Sequence, residues 1–150
     1  MVLVTRFNMK CTYCGSIADS RDHVVPASTQ YVQDRKFRPV PTNRHNTVPA
    51  CRLCNSMLGA NGGHTVGSRA NFLVERYKKR YARVLRLPYW GDAEIDRLGK
   101  NLRSFIRKDK ALKDSAQVMI ENCAKMADIA PTIAEVWSAV DEYEKTTRPR

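Results

Sequence analysis

The sequence predicts an α+β protein that is mostly helical: a short, irregular N-terminal part, residues 1–66, followed by a helical extension, residues 67–150. Two closely spaced pairs of cysteines lie in the first part, where glycine and proline recur every few residues and no long helical period survives. From Ser68 onward, apolar residues recur at helical spacing. A chain of 150 residues has the length of one domain or of a small module with a helical annex.

Four helices are predicted in the extension, and each has a start or stop signal. Ser68 can cap the first helix, and Pro88 ends it. Asp92 is a good N-cap for the second, with further acidic residues in the first turn. Pro131 suits the first turn of the fourth. The predicted ranges are about 68–87, from 92 through 106, 115–126, and from 131 through 143.

The charge distribution points to a polyanionic partner. The chain carries 26 Lys and Arg against 15 Asp and Glu, a net charge of +11. Residues 69–113 are the most basic stretch, at +9, whereas residues 114–150 carry −3. Phosphate contacts release counterions and give affinity without reading sequence, so nucleic acid is the expected partner. Binding to a membrane surface is the alternative.

The N-terminal segment and the hydropathy exclude two classes of protein. Arg6, Asn8 and Lys10 interrupt the place where a signal peptide would carry its apolar region. The apolar runs fall far short of the roughly 20 residues that a membrane helix needs. We therefore expect a protein of a reducing, cytoplasmic compartment that does not enter the membrane.

The two cysteine pairs predict a structural zinc site. Cys11 and Cys14 form one C-x2-C motif, and Cys51 and Cys54 form a second. Such pairs form tight turns whose four thiolates complete a tetrahedral zinc site, with no open position for substrate. A disulfide framework is the alternative, disfavoured by the fifth cysteine, Cys123, which is expected to be a small buried hydrophobe.

A further set of polar residues accompanies the cysteine pairs in a fixed order. Asp22-His23-Val24-Val25-Pro26 lies between the pairs, Asn46 lies five residues before Cys51, and Asn55 follows Cys54 directly. The resulting order, C-x2-C, D-H-x-x-P, N-x4-C-x2-C-N, resembles the zinc-stapled, four-cysteine branch of the HNH endonuclease family. The resemblance covers residues 11–59, about a third of the chain.

The resemblance implies a ββα-metal core and a catalytic site. One strand would include about 23–25, the other about 47–50, and a short helix would begin near Arg52. His23 would be the general base that deprotonates water. Asp22 and Asn55 would hold a catalytic cation, Mg²⁺ or Mn²⁺, while Asn46 would brace the loop that carries the Asp-His pair.

Basic side chains on both sides of this core are candidate DNA contacts. The basic side chains on the helices have two interpretations: they contact DNA phosphates, or they only form a solvated helix surface. The predicted contacts are Arg35, Lys36, Arg38 and Arg44 in the loop between the strands, and Lys79, Arg80 and Arg83 in the first helix. Further helix residues predicted to meet DNA phosphates are Lys78, Arg86, Lys100, Arg103 and Arg107.

The sequence thus predicts a metal-dependent DNA endonuclease that nicks or cuts double-stranded DNA. A non-catalytic, zinc-stapled DNA-binding protein is the main alternative, and a restriction-type enzyme that reads modified bases is a third hypothesis. Since one such site cuts one strand, a double-strand break would need two protomers or two encounters, so a homodimer is possible. Restriction systems, mobile elements and phage packaging modules all suit such a protein.

Overall fold

The computed structural model describes residues 9–24 and 44–147. Two short strands precede six helices in this part of the chain, so the predicted α+β, mostly helical class is confirmed. The elements are β1 (Ser20–His23), β2 (Thr47–Ala50), α1 (Arg52–Leu58), α2 (Val66–Arg80), α3 (Ala82–Leu85), α4 (Asp92–Asp96), α5 (Lys100–Ile129) and α6 (Ile133–Thr147).

The strands β1 and β2 form an antiparallel pair in which Ser20 lies opposite Ala50 and His23 lies opposite Thr47. β2 and the beginning of α1 coincide with their predicted positions. β1 begins three residues earlier than predicted, and the expected continuation to residue 25 lies outside the described residues. The hairpin is followed directly by α1, with only Cys51 between β2 and the helix.

The first predicted helix is two helices in the structure. Thr65, and not Ser68, is the N-cap of α2: its hydroxyl accepts the Ser68 N–H, while the Ser68 hydroxyl accepts the Thr65 N–H in return. Ser68, the predicted N-cap, is of a residue type that can cap a helix, but it is the third residue of α2. At Tyr81 the backbone leaves helical values (φ −105°, ψ 18°), which separates α2 from α3.

The second and third predicted helices are wrong in their boundaries. Gly91, and not Asp92, is the N-cap of the five-residue α4, and Asp92 is its first residue. Gly99 then takes an extended ψ of 152° that separates α4 from α5. From Lys100 one helix of 30 residues continues without a break to Ile129. The polar stretch 107–114 looked like a gap in the apolar period, yet it holds no glycine or proline, so nothing in it ends a helix.

The last predicted helix is confirmed as α6. It begins after Thr132, whose hydroxyl accepts the Glu135 N–H while the Glu135 carboxylate accepts the Thr132 N–H. Pro131 therefore precedes the cap and does not lie in the first turn, as was predicted. Just before it, the end of α5 lies so close to α2 that a Cβ on Gly67 would stand 2.8 Å from the Ala130 Cβ. Only glycine allows this approach without a shift of the backbone.

The core joins the N-terminal part to the helical extension. Side chains from the hairpin, α1, α2, α5 and α6 share one apolar cluster that also encloses the cysteines. Its central members are Tyr13, Val48, Leu58, Leu73, Tyr77 and Cys123. Across the residues that the structure places, no helix combines the length and apolar character needed to cross a bilayer.

Candidate metal centre and the adjoining hairpin site

The four cysteines of the two C-x2-C motifs meet at one point in the core. The Sγ atoms of Cys11, Cys14, Cys51 and Cys54 all lie within 4.8 Å of one another. The Cys14 and Cys51 sulfurs are 3.6 Å apart, and four thiolates around a tetrahedral zinc, with bonds of about 2.3 Å, need separations of about 3.8 Å. The cluster can therefore hold a structural metal such as zinc, as the spacing predicted.

Hydrogen-bond donors surround this cluster, as the outer shell of a metal site requires. Cys51 is also the N-cap of α1, and its sulfur accepts the Cys54 N–H at 3.4 Å. The Ser16 hydroxyl lies 2.8 Å from the Cys14 sulfur, and the Tyr77 hydroxyl lies 2.9 Å from the Cys54 sulfur. Burial raises the pKa of Tyr77. A metal-bound thiolate carries no proton, so in the metal-loaded site the Tyr77 hydroxyl is the hydrogen-bond donor.

The first cysteine turn is held against α5 by two residues that contact each other. Gly15 has a φ of +77°, a left-handed conformation that side chains other than glycine rarely adopt. The Asn122 amide donates to the Cys14 carbonyl at 2.8 Å, and a Cβ on Gly15 would lie 3.0 Å from that amide nitrogen. The role of Asn122 was not predictable, because nothing in the sequence pairs position 122 with position 14.

Asp22 lies in a buried ion pair on the inner side of β1. The Arg69 Nη2 donates to the Asp22 Oδ1 at 2.7 Å, and the Arg69 Nε donates to the Oδ2 at 2.8 Å. The Tyr13 hydroxyl donates to the same Oδ2 at 2.6 Å, since burial, followed by the charge of Asp22, raises the pKa of Tyr13. The remaining N–H groups of Arg69 bond to carbonyls of the loop 59–63.

This ion pair limits the predicted role of Asp22 as a cation ligand. Three of the roughly four acceptor positions of its carboxylate are in use, and its side chain is 2% exposed. Within residues 9–24 and 44–147, the four cysteines are the one group of three or more His, Cys, Asp or Glu side chains close enough to share an ion. A cation held by only two protein side chains is outside that grouping, so binding of Mg²⁺ or Mn²⁺ by Asp22 and Asn55 stays a prediction, with about one acceptor position of the Asp22 carboxylate left for it.

His23 and Asn55 occupy neighbouring elements of the hairpin–helix unit. The Asn55 amide, on α1, donates to the Arg21 carbonyl of β1 at 3.2 Å. His23 is the last residue of β1 and is half-buried. Because side chains alternate along a strand, His23 shares the face of Arg21, opposite to that of Asp22. The structure thus brings Asn55 to the strand that carries His23 but separates His23 from its sequence neighbour Asp22.

The hairpin pairing continues past the two strands and includes the backbone of Asn46. The Val24 N–H donates to the Asn46 carbonyl at 3.0 Å. The backbone of Asn46 therefore holds the chain that follows His23, while a bracing role for its side chain stays a prediction.

Helix α6 packs against the hairpin through Trp137. The Trp137 indole N–H donates to the Thr47 carbonyl at 2.8 Å. The guanidinium carbons of Arg21 and Arg44 lie 5.1 and 4.4 Å from the centre of its ring. The Arg44 Nη1 also lies 2.8 Å from the Asp141 Oδ1. Nothing in the sequence identifies these partners.

The predicted DNA contacts have different surroundings. Arg35, Lys36 and Arg38 lie outside the described residues. Arg44 is paired with Asp141, and Arg83 is paired with Asp109 at 2.9 Å. Lys79 and Arg80 are exposed in the last turn of α2. DNA contact by any of them stays a prediction.

Comparison with protein-family models, with curated proteins and with solved structures finds no match to this chain. Assignment to the HNH family therefore stays a prediction that rests on the motif residues.

Proposed function

We propose that the protein is a DNA endonuclease of the HNH type. The observation that carries the proposal is the order and packing of one small unit: an antiparallel hairpin followed directly by α1, with a four-cysteine cluster beneath it. His23 lies on the first strand, and Asn55 on the helix contacts that strand. This is the arrangement of elements and residues that the motif resemblance implies.

The proposed reaction is attack of water on a DNA phosphorus atom, with release of the 3′ oxygen. The neutral imidazole of His23 accepts the proton of the attacking water. Asn55 holds β1 through the Arg21 carbonyl and so fixes the position of the imidazole. A divalent cation would stabilise the developing negative charge. Asp22, through its remaining acceptor position, and Asn55 would hold it.

The buried contacts of Asp22 favour a second candidate function, a zinc-stapled DNA-binding protein without catalysis. A carboxylate committed to Arg69 and Tyr13 supports the fold of the hairpin. The net charge of +11 provides phosphate affinity in either case.

Relaxation of supercoiled plasmid separates the two candidates. We expect the purified, zinc-loaded protein to nick or linearise plasmid in Mg²⁺ or Mn²⁺, and His23→Ala to lose at least about a hundredfold of that rate, as removal of a general base does. His64→Ala is the matched control, since His64 is an exposed histidine outside the hairpin. It should cut at the wild-type rate.

Three results would each contradict a different part of these proposals. Undiminished cutting by His23→Ala would exclude His23 as the base. Retarded plasmid that stays supercoiled with every divalent cation tested would favour the binding protein. Absence of both cutting and retardation would contradict both candidates.

A further inference from the structure

The N-terminal half of α5 carries a concentrated positive charge that the proposed catalytic unit does not use. Four cations and no acidic residue lie within residues 100–108: Lys100, Arg103, Arg107 and Lys108. Arg103, Arg107 and Lys108 follow Lys100 by three, seven and eight positions, so the four side chains fall on one side of the helix. They line one shallow surface depression together with Ser104 and Ala111. The two small side chains leave room between the long basic ones for an anion to approach.

Three of the four charges in this depression are available to a ligand, and Arg103 is partly engaged because its Nε and Nη2 donate to the Leu98 carbonyl. In the part of the chain that the structure describes, Lys100 and Lys108 form no ion pair. Arg107 pairs with Asp96, but both side chains are more than half exposed, and such pairs contribute little and exchange readily. By contrast, the neighbouring Lys110 and the more distant Arg83 are held by Asp92 and Asp109.

The depression faces away from the protein core. The side of α5 that packs on the rest of the chain includes Ala116 and Cys123, which are buried. At 100° per residue, Lys100 and Arg107 lie on the opposite side of the helix.

The length of α5 places this surface far from the metal centre. Cys123 lies in the core cluster with the four cysteines, and Ser104 precedes it by 19 residues in one continuous helix, or about 28 Å at 1.5 Å per residue. That distance equals about eight base pairs of duplex DNA at 3.4 Å each.

We propose that this depression, formed by Lys100, Arg103, Arg107 and Lys108, binds the phosphate backbone of duplex DNA several base pairs away from the hairpin. The inference rests on the proposed function, because it takes DNA as the ligand. It adds a second contact region, so that affinity depends on the length of duplex that the protein can reach.

The test compares two DNA lengths and two charge-matched variants. The parent is the zinc-loaded His23→Ala protein without added Mg²⁺, which prevents cleavage. Lys100→Ala/Lys108→Ala removes two charges from the depression, and Arg76→Ala/Lys145→Ala removes two exposed charges from other helices. Fluorescence anisotropy gives Kd against salt for a duplex of about 24 base pairs and for a DNA hairpin of about eight.

On the longer duplex, we expect the slope of log Kd against log salt to fall by about 2 for the depression variant and to stay unchanged for the control. On the eight-base-pair hairpin, neither variant should differ from the parent. An unchanged slope on the longer duplex, or an equal fall in the control, would overturn the proposal. An equal fall on the short hairpin would overturn the separate placement of the depression.

The proposed function fails differently in the same experiment. If the parent binds neither DNA, DNA is not the ligand and both proposals are wrong. If the parent binds and the wild type cleaves, but the depression variant matches the parent, only the second contact region is wrong.

Discussion

Asp22 and Arg69 form the contact that changes the interpretation of the motif most. From the sequence, Asp22 is predicted to bind the catalytic cation beside the general base His23. In the structure it is bonded to an arginine 47 residues away, whose side chain has no exposed surface. An isolated arginine at helical spacing gives no sign of such a partner, since most arginines lie at the surface. The sequence therefore identified the motif residues, but it did not identify the partner of Asp22.

The ion pair predicts a strong coupling between the two residues. Arg69→Met should destabilise the protein by about 3–5 kcal/mol, because it leaves the buried Asp22 carboxylate unpaired. Asp22→Asn should be costly for the converse reason, and the double variant should recover much of the loss. Urea denaturation in excess zinc measures these free energies of unfolding. Strictly additive losses would show that the pair does not form.

At the scale of elements, the presence of helices was predicted better than their exact starts and their continuity. A helix begins near each of Ser68, Asp92 and Pro131, but the residues that cap these helices are Thr65, Gly91 and Thr132. The unbroken α5 was missed because polar side chains interrupt the apolar period on its half-buried side: Asp109, Lys110 and Lys113 are half-buried, whereas the apolar Leu112 is exposed. Its continuity follows from packing against α2 over much of its length, a tertiary contact that the sequence period alone does not show.

The docking of α6 on the hairpin predicts an effect on DNA affinity. Asp141→Asn should free Arg44 for phosphate contact and increase the salt slope of DNA binding by about 1. Folding should change by less than about 1 kcal/mol, because this pair is half exposed. Glu142→Gln removes the same charge at the next position and is the control. Anisotropy titrations that show the same gain for both variants, or none for Asp141→Asn, would contradict a masking role for Asp141.

At the scale of the whole molecule, the metal cluster is the part of the site that the sequence predicted most completely. The spacing of two C-x2-C motifs determines a tetrahedral thiolate site almost by itself. The surroundings of that site come from distant positions: Tyr77 on α2 donates to the Cys54 sulfur, and Asn122 on α5 holds the first turn. These residues also connect the two predicted parts, 1–66 and 67–150, through one shared core.

The metal content of the purified protein tests the central claim most directly, because the hairpin, α1 and the proposed catalytic unit all depend on the cysteine cluster. Elemental analysis should give one zinc per wild-type chain and one per Cys123→Ser chain, since Cys123 lies outside the four-cysteine group. Cys51→Ser should lose the zinc and most of the folded structure, because structural zinc contributes folding free energy directly. A wild-type chain without zinc, or a zinc-free Cys51→Ser protein that stays folded, would contradict the account.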